Sequence, residues 1–427
     1  MGRLMFRLRS RTVKTLRNAR MALRRQRFKA DHVGRRSVGW KRLGATGAVF
    51  EKRFDQSTAG REALSRELLA RSVFDSGWVT PILSQDGGTI RLPLLAEESR
   101  LDRVAASASP EERREIARQA IEILFELFMK GYAHRDFHGG NLFWVDGQLY
   151  VVDFEALERY PEGSRPPFPL AYDLTGQGLP PSFGAPREYF DRPGSQISIA
   201  HLLGVAVADA LQILEARLKH DLWAASVTFQ ALNRRHVTTS RLIYNSFSLP
   251  VLGVAPEEAQ RDSGQRVQRF GITEQIVRGR RLLDLGSNIG GMLFEIQRFG
   301  PSACLGVEYD EQKVKIATEV AGYNALHNVH FMQADIDHLE AGLLHGPFDI
   351  VTCLAIVEHV KNKPHLFDLL GKLTGDTLFF EGNAKSDIAA IESALRKAGF
   401  REVQFLGMSD DDVRPENNCR PIWRATK

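Results

Sequence analysis

Two stretches of this chain carry residue types whose spacing suits chemistry. In the C-terminal one, the apolar run Arg281-Leu282-Leu283-Asp284-Leu285 leads directly into Gly286-Ser287-Asn288-Ile289-Gly290-Gly291. Glycines at a strand-to-helix turn let a ligand approach the backbone, and the helix that follows offers unpaired N–H groups. A second run, Cys304-Leu305-Gly306-Val307-Glu308, ends in an acid about twenty residues further on, where a carboxylate can accept from ribose hydroxyls. Tyr309 beside it offers a ring for an adenine to pack on, and Asp335, after Phe331-Met332-Gln333-Ala334, can accept from an adenine amino group. Beyond a fourth run, Phe348–Leu354, stand Glu358 and His359, the nearest groups able to take a proton. The N-terminal stretch is His134-Arg135-Asp136-Phe137-His138-Gly139-Gly140-Asn141, followed by Val151-Val152-Asp153-Phe154-Glu155. Asp136 and Asn141 are five positions apart, and Asp153 comes twelve after Asn141.

Elements must position these groups. From Arg280 onward, apolar runs and helical patterns alternate, which predicts a parallel sheet with crossover helices. Upstream, two β-rich stretches between Ser37 and Phe54 flank Gly44-Ala45-Thr46-Gly47 as in a hairpin. A helix is expected over Ala59–Phe74, then strands over Val79–Leu83 and Thr89–Leu95 around Asp86-Gly87-Gly88. Glu111–Met129 has apolar residues at helical spacing, and a loop leads from it to a short strand at Leu149–Val152. A Pro/Gly-rich segment, Pro161–Pro186, precedes an apolar helix over Ile197–Leu218, and Ala224–Ser263 reads as helix and then linker. No internal repeat is visible.

The four strand-ending segments, in this order, resemble the class I methyltransferase family over residues 263–427. The resemblance implies an α/β Rossmann-like domain that uses S-adenosylmethionine. Asp284, Gly286 and Gly290 would surround the methionine part of the donor, Glu308 the ribose, and Tyr309 and Asp335 the adenine. The first turn lacks the tight Gly-x-Gly that brings a dinucleotide pyrophosphate onto the backbone, which argues against a nicotinamide-binding domain. Because the sulfonium is already activated, methyl transfer asks mainly for alignment. A hydroxyl acceptor benefits from a base, for which Glu358 and His359 stand available, whereas a phosphate or carboxylate acceptor needs none. Similar Glu-His pairs occur in the family as structural groups as well.

Asp136, Asn141 and Asp153 match the catalytic loop H-R-D-x-x-x-x-N and the following D-F-G position of kinases. Residues 31–235 therefore resemble the protein-kinase-like superfamily. The resemblance implies an α+β bilobal domain using ATP, in which Asn141 and Asp153 hold magnesium and Asp136 orients the attacking hydroxyl. It continues outward. Val49–Phe54 resembles the strand bearing the phosphate-binding lysine, Lys52, with Glu67 (or else Glu62) as its ion-pair partner. Ala185-Pro186-Arg187-Glu188 echoes the A-P-E element, and the helix from Ile197 takes the place of the long buried helix. The pattern departs at Glu155, which replaces the glycine of D-F-G, and at His138, where protein kinases carry lysine. No G-x-G-x-x-G loop precedes Lys52; the Gly34 turn is the nearest substitute. His138-Gly139-Gly140-Asn141 and the short small lobe are closer to small-molecule and lipopolysaccharide/sugar kinases. A pseudokinase scaffold is the other reading.

Charge is unevenly spread. Between Met1 and Gly44 stand fifteen Lys or Arg against one acid, Asp31, so this stretch carries +14 and the remainder −9 against a total of +5. Residues 1–30 read as a basic amphipathic arm able to lie on an anionic membrane, with a solvated extension or nucleic-acid contact as alternatives. Cys304, Cys353 and Cys419 are scattered, which excludes a cysteine-held metal and fits a reducing cytoplasm. No run of about 18 uncharged apolar residues occurs. Residues 236–262 are expected to link the two domains. The fusion is similar to bacterial O-antigen chain terminators, which phosphorylate a glycan end and methylate the phosphate, but with the domain order reversed. It implies magnesium, ATP and S-adenosylmethionine, and a glycan, glycolipid or small-molecule acceptor. The expected location is cytoplasmic, peripheral on the inner face of the bacterial cytoplasmic membrane. The rival is a methyltransferase of a small molecule or nucleic acid carrying a regulatory pseudokinase.

Overall fold

The computed structural model describes residues 30, 32–33, 36–44, 47–74, 77–176, 179, 203–231, 234–237 and 240–427. Residues 1–29 of the arm, the Gly34 turn, the Ala185–Glu188 element and the start of the apolar helix at Ile197 lie outside the described residues. Two compact units emerge. One takes the chain to Arg165 together with Pro169–Ile213; the other takes Pro166–Phe168 and Leu214–Lys427.

In the first unit, β1 (His32–Val33), β2 (Ser37–Gly44), β3 (Gly47–Phe54), β4 (Ser84–Asp86) and β5 (Thr89–Pro93) form an antiparallel sheet. Its order is β1-β2-β3-β5-β4. The expected strand at Val79–Leu83 is absent: Val79 makes one isolated bridge to Val151, and pairing begins at Ser84. Helix α1 (Thr58–Val73) starts at Ser57, whose side chain accepts from the Gly60 N–H. Its Ala63 packs in one cluster with Phe54, Ile90 and Leu92 of the sheet. Helical spacing then turns Glu67, one turn beyond Ala63, to the same buried face. On β3 the two-residue period puts Lys52 on the face of Phe54. Sheet and helix thus deliver Lys52 and Glu67 to each other.

Helix α2 (Pro110–Met129) opens with a capping box between Ser109 and Glu112, with proline at its first position. It buries Ile116, Ala120, Leu124, Leu127 and Phe128 along one face. A two-stranded pair, β6 (Tyr132–Ala133) with β9 (Glu158–Arg159), frames a hairpin of β7 (Leu142–Val145) and β8 (Gln148–Val151). Sequence reading leaves β7 in a loop. Its signal is the turn Asp146-Gly147, both at positive φ (50° and 81°), which suits a two-residue hairpin. A single helical turn, α3 (Tyr172–Thr175), lies beyond.

Helix α4 (Val207–Val227) runs further than the expected end at Leu218, and residues 197–202 of the expected helix lie outside the described residues. From Leu214 it groups with the second unit, where Tyr323 donates to Glu215 at 2.7 Å and Arg217 pairs with Glu319 at 2.5 Å. The boundary therefore falls near 213, before the expected 235. Nor is 236–262 a bare linker. After the hairpin β10 (Thr228–Ala231) and β11 (Arg234–Val237), β12 (Ile243–Asn245) pairs in parallel with β13 (Ala259–Arg261). Helix α5 (Ser263–Arg269) follows, capped by Asp262.

The second unit's sheet comprises β14 (Arg281–Leu285), β15 (Ala303–Glu308), β16 (Val329–Gln333), β17 (Phe348–Leu354), β18 (Thr374–Glu381), β19 (Glu402–Ser409) and β20 (Arg420–Thr426). The order is β16-β15-β14-β17-β18-β20-β19. The first five strands are parallel, as expected, with α6 (Gly291–Ile296), α7 (Glu311–Tyr323) and α8 (Lys363–Leu373) in the connections. The end differs. α9 (Ile388–Lys397) leads to β19, and β20 inserts antiparallel between β18 and β19 because no crossover helix separates the last two strands. Leu283, Leu285, Val351, Cys353, Leu378 and Phe380 form the core with α8, each almost fully buried, as strands covered on both faces require. Among the described residues no helix is long and apolar enough to cross a membrane.

Candidate functional site

In the first unit, Lys52 and Glu67 meet at 2.6 Å with both side chains buried. Lys52 also reaches Asp153 at 2.8 Å and Glu155 at 3.0 Å. Burial alone would lower its pKa, but Asp153, Glu67 and Glu155 outweigh burial and hold the ammonium well above its ordinary value. Glu67 is shared with Arg71 at 2.5 Å, whereas Glu62 makes no such pair with Lys52. Glu155, the residue in the glycine position, accepts from the Ser37 hydroxyl, and burial raises its pKa against the pull of Lys52. Asn141 donates to the backbone carbonyl of Asp136 at 3.0 Å and to its carboxylate at 3.2 Å. His138 stands 3.5 Å from that carboxylate, and its bond to Asp136 raises the imidazole pKa despite burial.

The loop bearing Asp136 is fixed from below by a residue the motif does not reveal. Asp173 accepts from the backbone N–H of His134 and of Arg135, each at 2.8 Å. Arg135 and Asp153 both take φ of 66°, a costly conformation for residues with a Cβ. One strained residue thus flanks Asp136, and Asp153 is itself the other. Asn141 and Asp153 offer oxygen donors only, a set that suits magnesium, and Lys52 beside them suits phosphate oxygens.

In the second unit a pocket of about 180 Å³ opens at the C-terminal ends of β14, β15 and β17, the usual place for a ligand in an open α/β sheet. Gly286 lines it at φ 81°, and a Cβ there would lie 2.5 Å from Ile356. Gly290 is not on the wall. Its φ is 84° and a Cβ would meet the Phe331 ring at 2.6 Å, so a glycine is needed for packing under the turn. Asp284, almost fully buried, accepts from Thr352 at 2.6 Å. Burial pushes its pKa up to about 6, against the pull of Thr352 and Arg266. Glu308 is held at both oxygens, by the N–H of Asn288 at 2.9 Å and of Asp310 at 3.0 Å. Tyr309, half exposed, and Asp335 line the same pocket.

Of the two expected bases the structure brings only one to the pocket. His359 lines it, its pKa lowered by burial and by Arg420. Glu358 is off the wall and exposed, paired with Lys363 at 2.7 Å, because its N–H is anchored on Asn383. Glu358 is therefore withdrawn as the base.

Residues 257–402 match the family model described as a methyltransferase domain. The chain is 25% identical over 133 residues to ajmaline N-methyltransferase of Rauvolfia serpentina, covering 30% of this chain and 45% of that protein. It is 30% identical over 121 residues to the ubiquinone biosynthesis O-methyltransferase of Acinetobacter baylyi, covering 27% and 50%. The chain spans about half the length of the curated relatives it matches. Among solved structures it is similar to magnesium protoporphyrin IX methyltransferase from Synechocystis PCC 6803 with bound S-adenosylmethionine. That likeness has a TM-score of 0.33 and 20% identity over 39% of this chain and 77% of the other.

Residues 257–402 are a methyltransferase domain.

The pocket of the methyltransferase domain recruits residues that the motif reading misses. Asn288 holds Glu308 from φ 51°, and Asp337 accepts from the N–H of Lys361 and Asn362 at 3.1 and 2.8 Å. Tyr244, Asn245 and Arg266 also line the wall. The first two come from β12, inside the stretch read as linker, and Asn245 packs against the start of α6: a Cβ on Gly291 would fall 2.4 Å from it. No local pattern marks them, since a parallel pairing with β13 puts them there.

Proposed function

We propose that the chain is a two-activity transferase, with S-adenosylmethionine-dependent methyl transfer in the second unit and ATP-dependent phosphoryl transfer in the first. Methyl transfer rests on the methyltransferase match, with Glu308 held by two backbone N–H groups at the pocket. Bound S-adenosylmethionine supplies an activated methyl group. Glu308 accepts from the ribose hydroxyls, Tyr309 covers the adenine, Asp335 accepts from its amino group, and Asp284 and Gly286 border the methionine part. His359, on the pocket wall, takes the proton of a hydroxyl acceptor where there is one.

Phosphoryl transfer is supported by one observation above the others: Lys52 lies within 2.8 Å of both Glu67 and Asp153, in the unit where Asn141 donates to Asp136. Magnesium and ATP supply the charge-neutralised phosphoryl group. Lys52 steadies phosphate oxygens, Asn141 and Asp153 hold the metal, and Asp136 orients the acceptor hydroxyl. The acceptor we favour is a hydroxyl of a cell-envelope glycan or glycolipid, supported by the sugar-kinase form of His138–Asn141, with methylation on the same molecule. A small-molecule methyl acceptor is favoured by ajmaline and ubiquinone biosynthesis in the relatives' names. A regulatory nucleotide-binding unit is favoured by Glu155, which pairs with Lys52 where the kinase pattern has glycine.

The test incubates purified protein with ATP, magnesium and S-adenosylmethionine against glycan, glycolipid and small-molecule acceptors. Mass gains of about 80 Da and about 14 Da on one glycan support the full proposal. A gain of about 14 Da alone, with no nucleotide turnover, favours the regulatory reading.

A further inference from the structure

The methyltransferase pocket carries charge that the roles above do not use. Arg266, on α5, is only 4% exposed yet lines the pocket. Its Nη2 donates to Glu381 at 2.5 Å, while Nε stands 3.3 Å from Asp411 without making a hydrogen bond. Beside this pair, fully buried Arg261 reaches Asp411 at 3.0 Å and Asp412 at 2.9 Å, and Arg420 reaches Glu381 at 3.5 Å. Tyr244 lines the pocket within the field of these groups. Burial alone would raise its phenol pKa. Arg261, Arg266 and Arg420 overcome burial and the opposing Glu381, and bring it below the ordinary value. The wall therefore sets beside the pocket a buried guanidinium whose Nε makes no hydrogen bond. A desolvated guanidinium beside a pocket stabilises an anion over a neutral group of the same size.

We propose that Arg266, together with the Tyr244 hydroxyl, forms an anion subsite that takes a carboxylate or phosphate oxygen of a molecule bound in the pocket. The inference rests on the methyl-transfer reading. Two molecules can bring such a group: the donor through its amino-acid carboxylate, or the acceptor through a phosphate.

Calorimetry on the full chain separates them, using S-adenosylhomocysteine, methylthioadenosine, which lacks the amino-acid moiety, and inorganic phosphate added to protein loaded with S-adenosylhomocysteine. The proteins are wild type, Arg266→Gln and Tyr244→Phe. If the donor supplies the anion, both variants bind S-adenosylhomocysteine more weakly, Arg266→Gln by about tenfold or more, and methylthioadenosine unchanged. If the acceptor supplies it, both nucleosides bind unchanged while phosphate binding disappears. Variants that bind all three ligands like wild type overturn the subsite. Should Arg266→Gln lose every ligand through misfolding, Tyr244→Phe decides alone, since it leaves the buried ion pairs intact. Wild type that binds neither nucleoside overturns the methyl-transfer reading and the subsite with it.

Discussion

Asp284 shows how burial, rather than a charged neighbour, sets the protonation of a site residue. Its pKa near 6 stands about two units above an ordinary aspartate, so the folded chain holds that proton more tightly than the unfolded one. Between about pH 4 and 6 the native state binds more protons, and stability falls as pH rises; above 6 the cost, about 3 kcal/mol, is complete. Asp284→Asn keeps an acceptor for Thr352 and removes that cost. Urea unfolding at pH 7.5 should show the variant as the more stable protein, with the difference shrinking toward pH 4.5; a constant difference contradicts the assignment. The same variant should bind S-adenosylhomocysteine more weakly, which separates a site residue from a merely buried one. Lys52 behaves oppositely. Lys52→Ala leaves buried Glu155 without its ammonium partner and Glu67 with Arg71 alone, so it should cost about 3–5 kcal/mol in thermal unfolding. Loss of nucleotide turnover in that variant is therefore ambiguous. Asp136→Asn, at a half-exposed carboxylate, should abolish turnover with little change in melting temperature.

Elements bring these groups together, and two glycines separate the backbone cost of a turn from its packing cost. Gly300 has φ 69° and open space where a Cβ would go; Gly290 has φ 84° and the Phe331 ring 2.6 Å away. Gly300→Ala should cost only the left-handed backbone term, about 1–2 kcal/mol. Gly290→Ala must also displace Phe331, so its melting temperature should fall further; equal losses would show that the ring moves freely. This turn was legible in sequence because strand, glycines and helix are contiguous there. Lys52 and Glu67 were expected from the kinase resemblance, and they meet because regular periods of strand and helix carry them to one place. Other parts depend on pairings distant in sequence. Asp173 fixes the Asp136 loop from nearly forty positions away, and β12 becomes a pocket wall only by pairing with β13. Glu358 was misplaced for a related reason: its neighbour His359 faces the pocket, while Asn383, from beyond β18, turns the backbone of Glu358 outward.

For the whole molecule, charge and chemistry divide along the chain. The +14 of residues 1–44 faces a remainder of −9, an arrangement that favours anionic surfaces over general stickiness. Liposome flotation should recover full-length protein with anionic vesicles and lose it when residues 1–30 are deleted; equal flotation removes the arm from membrane binding. The order of the two reactions is tested through single carboxylates. If phosphorylation creates the group that is methylated, Asp136→Asn protein should transfer no methyl to an unmodified glycan, yet methylate one phosphorylated beforehand at the wild-type rate. Glu308→Gln should show the converse, phosphorylating normally and methylating neither. Mixing the two variants should then restore the doubly modified product, because each supplies the step the other lacks and the phosphorylated glycan is free to pass between them. Methylation of the unmodified glycan by Asp136→Asn protein would instead mean that the two activities act on separate positions.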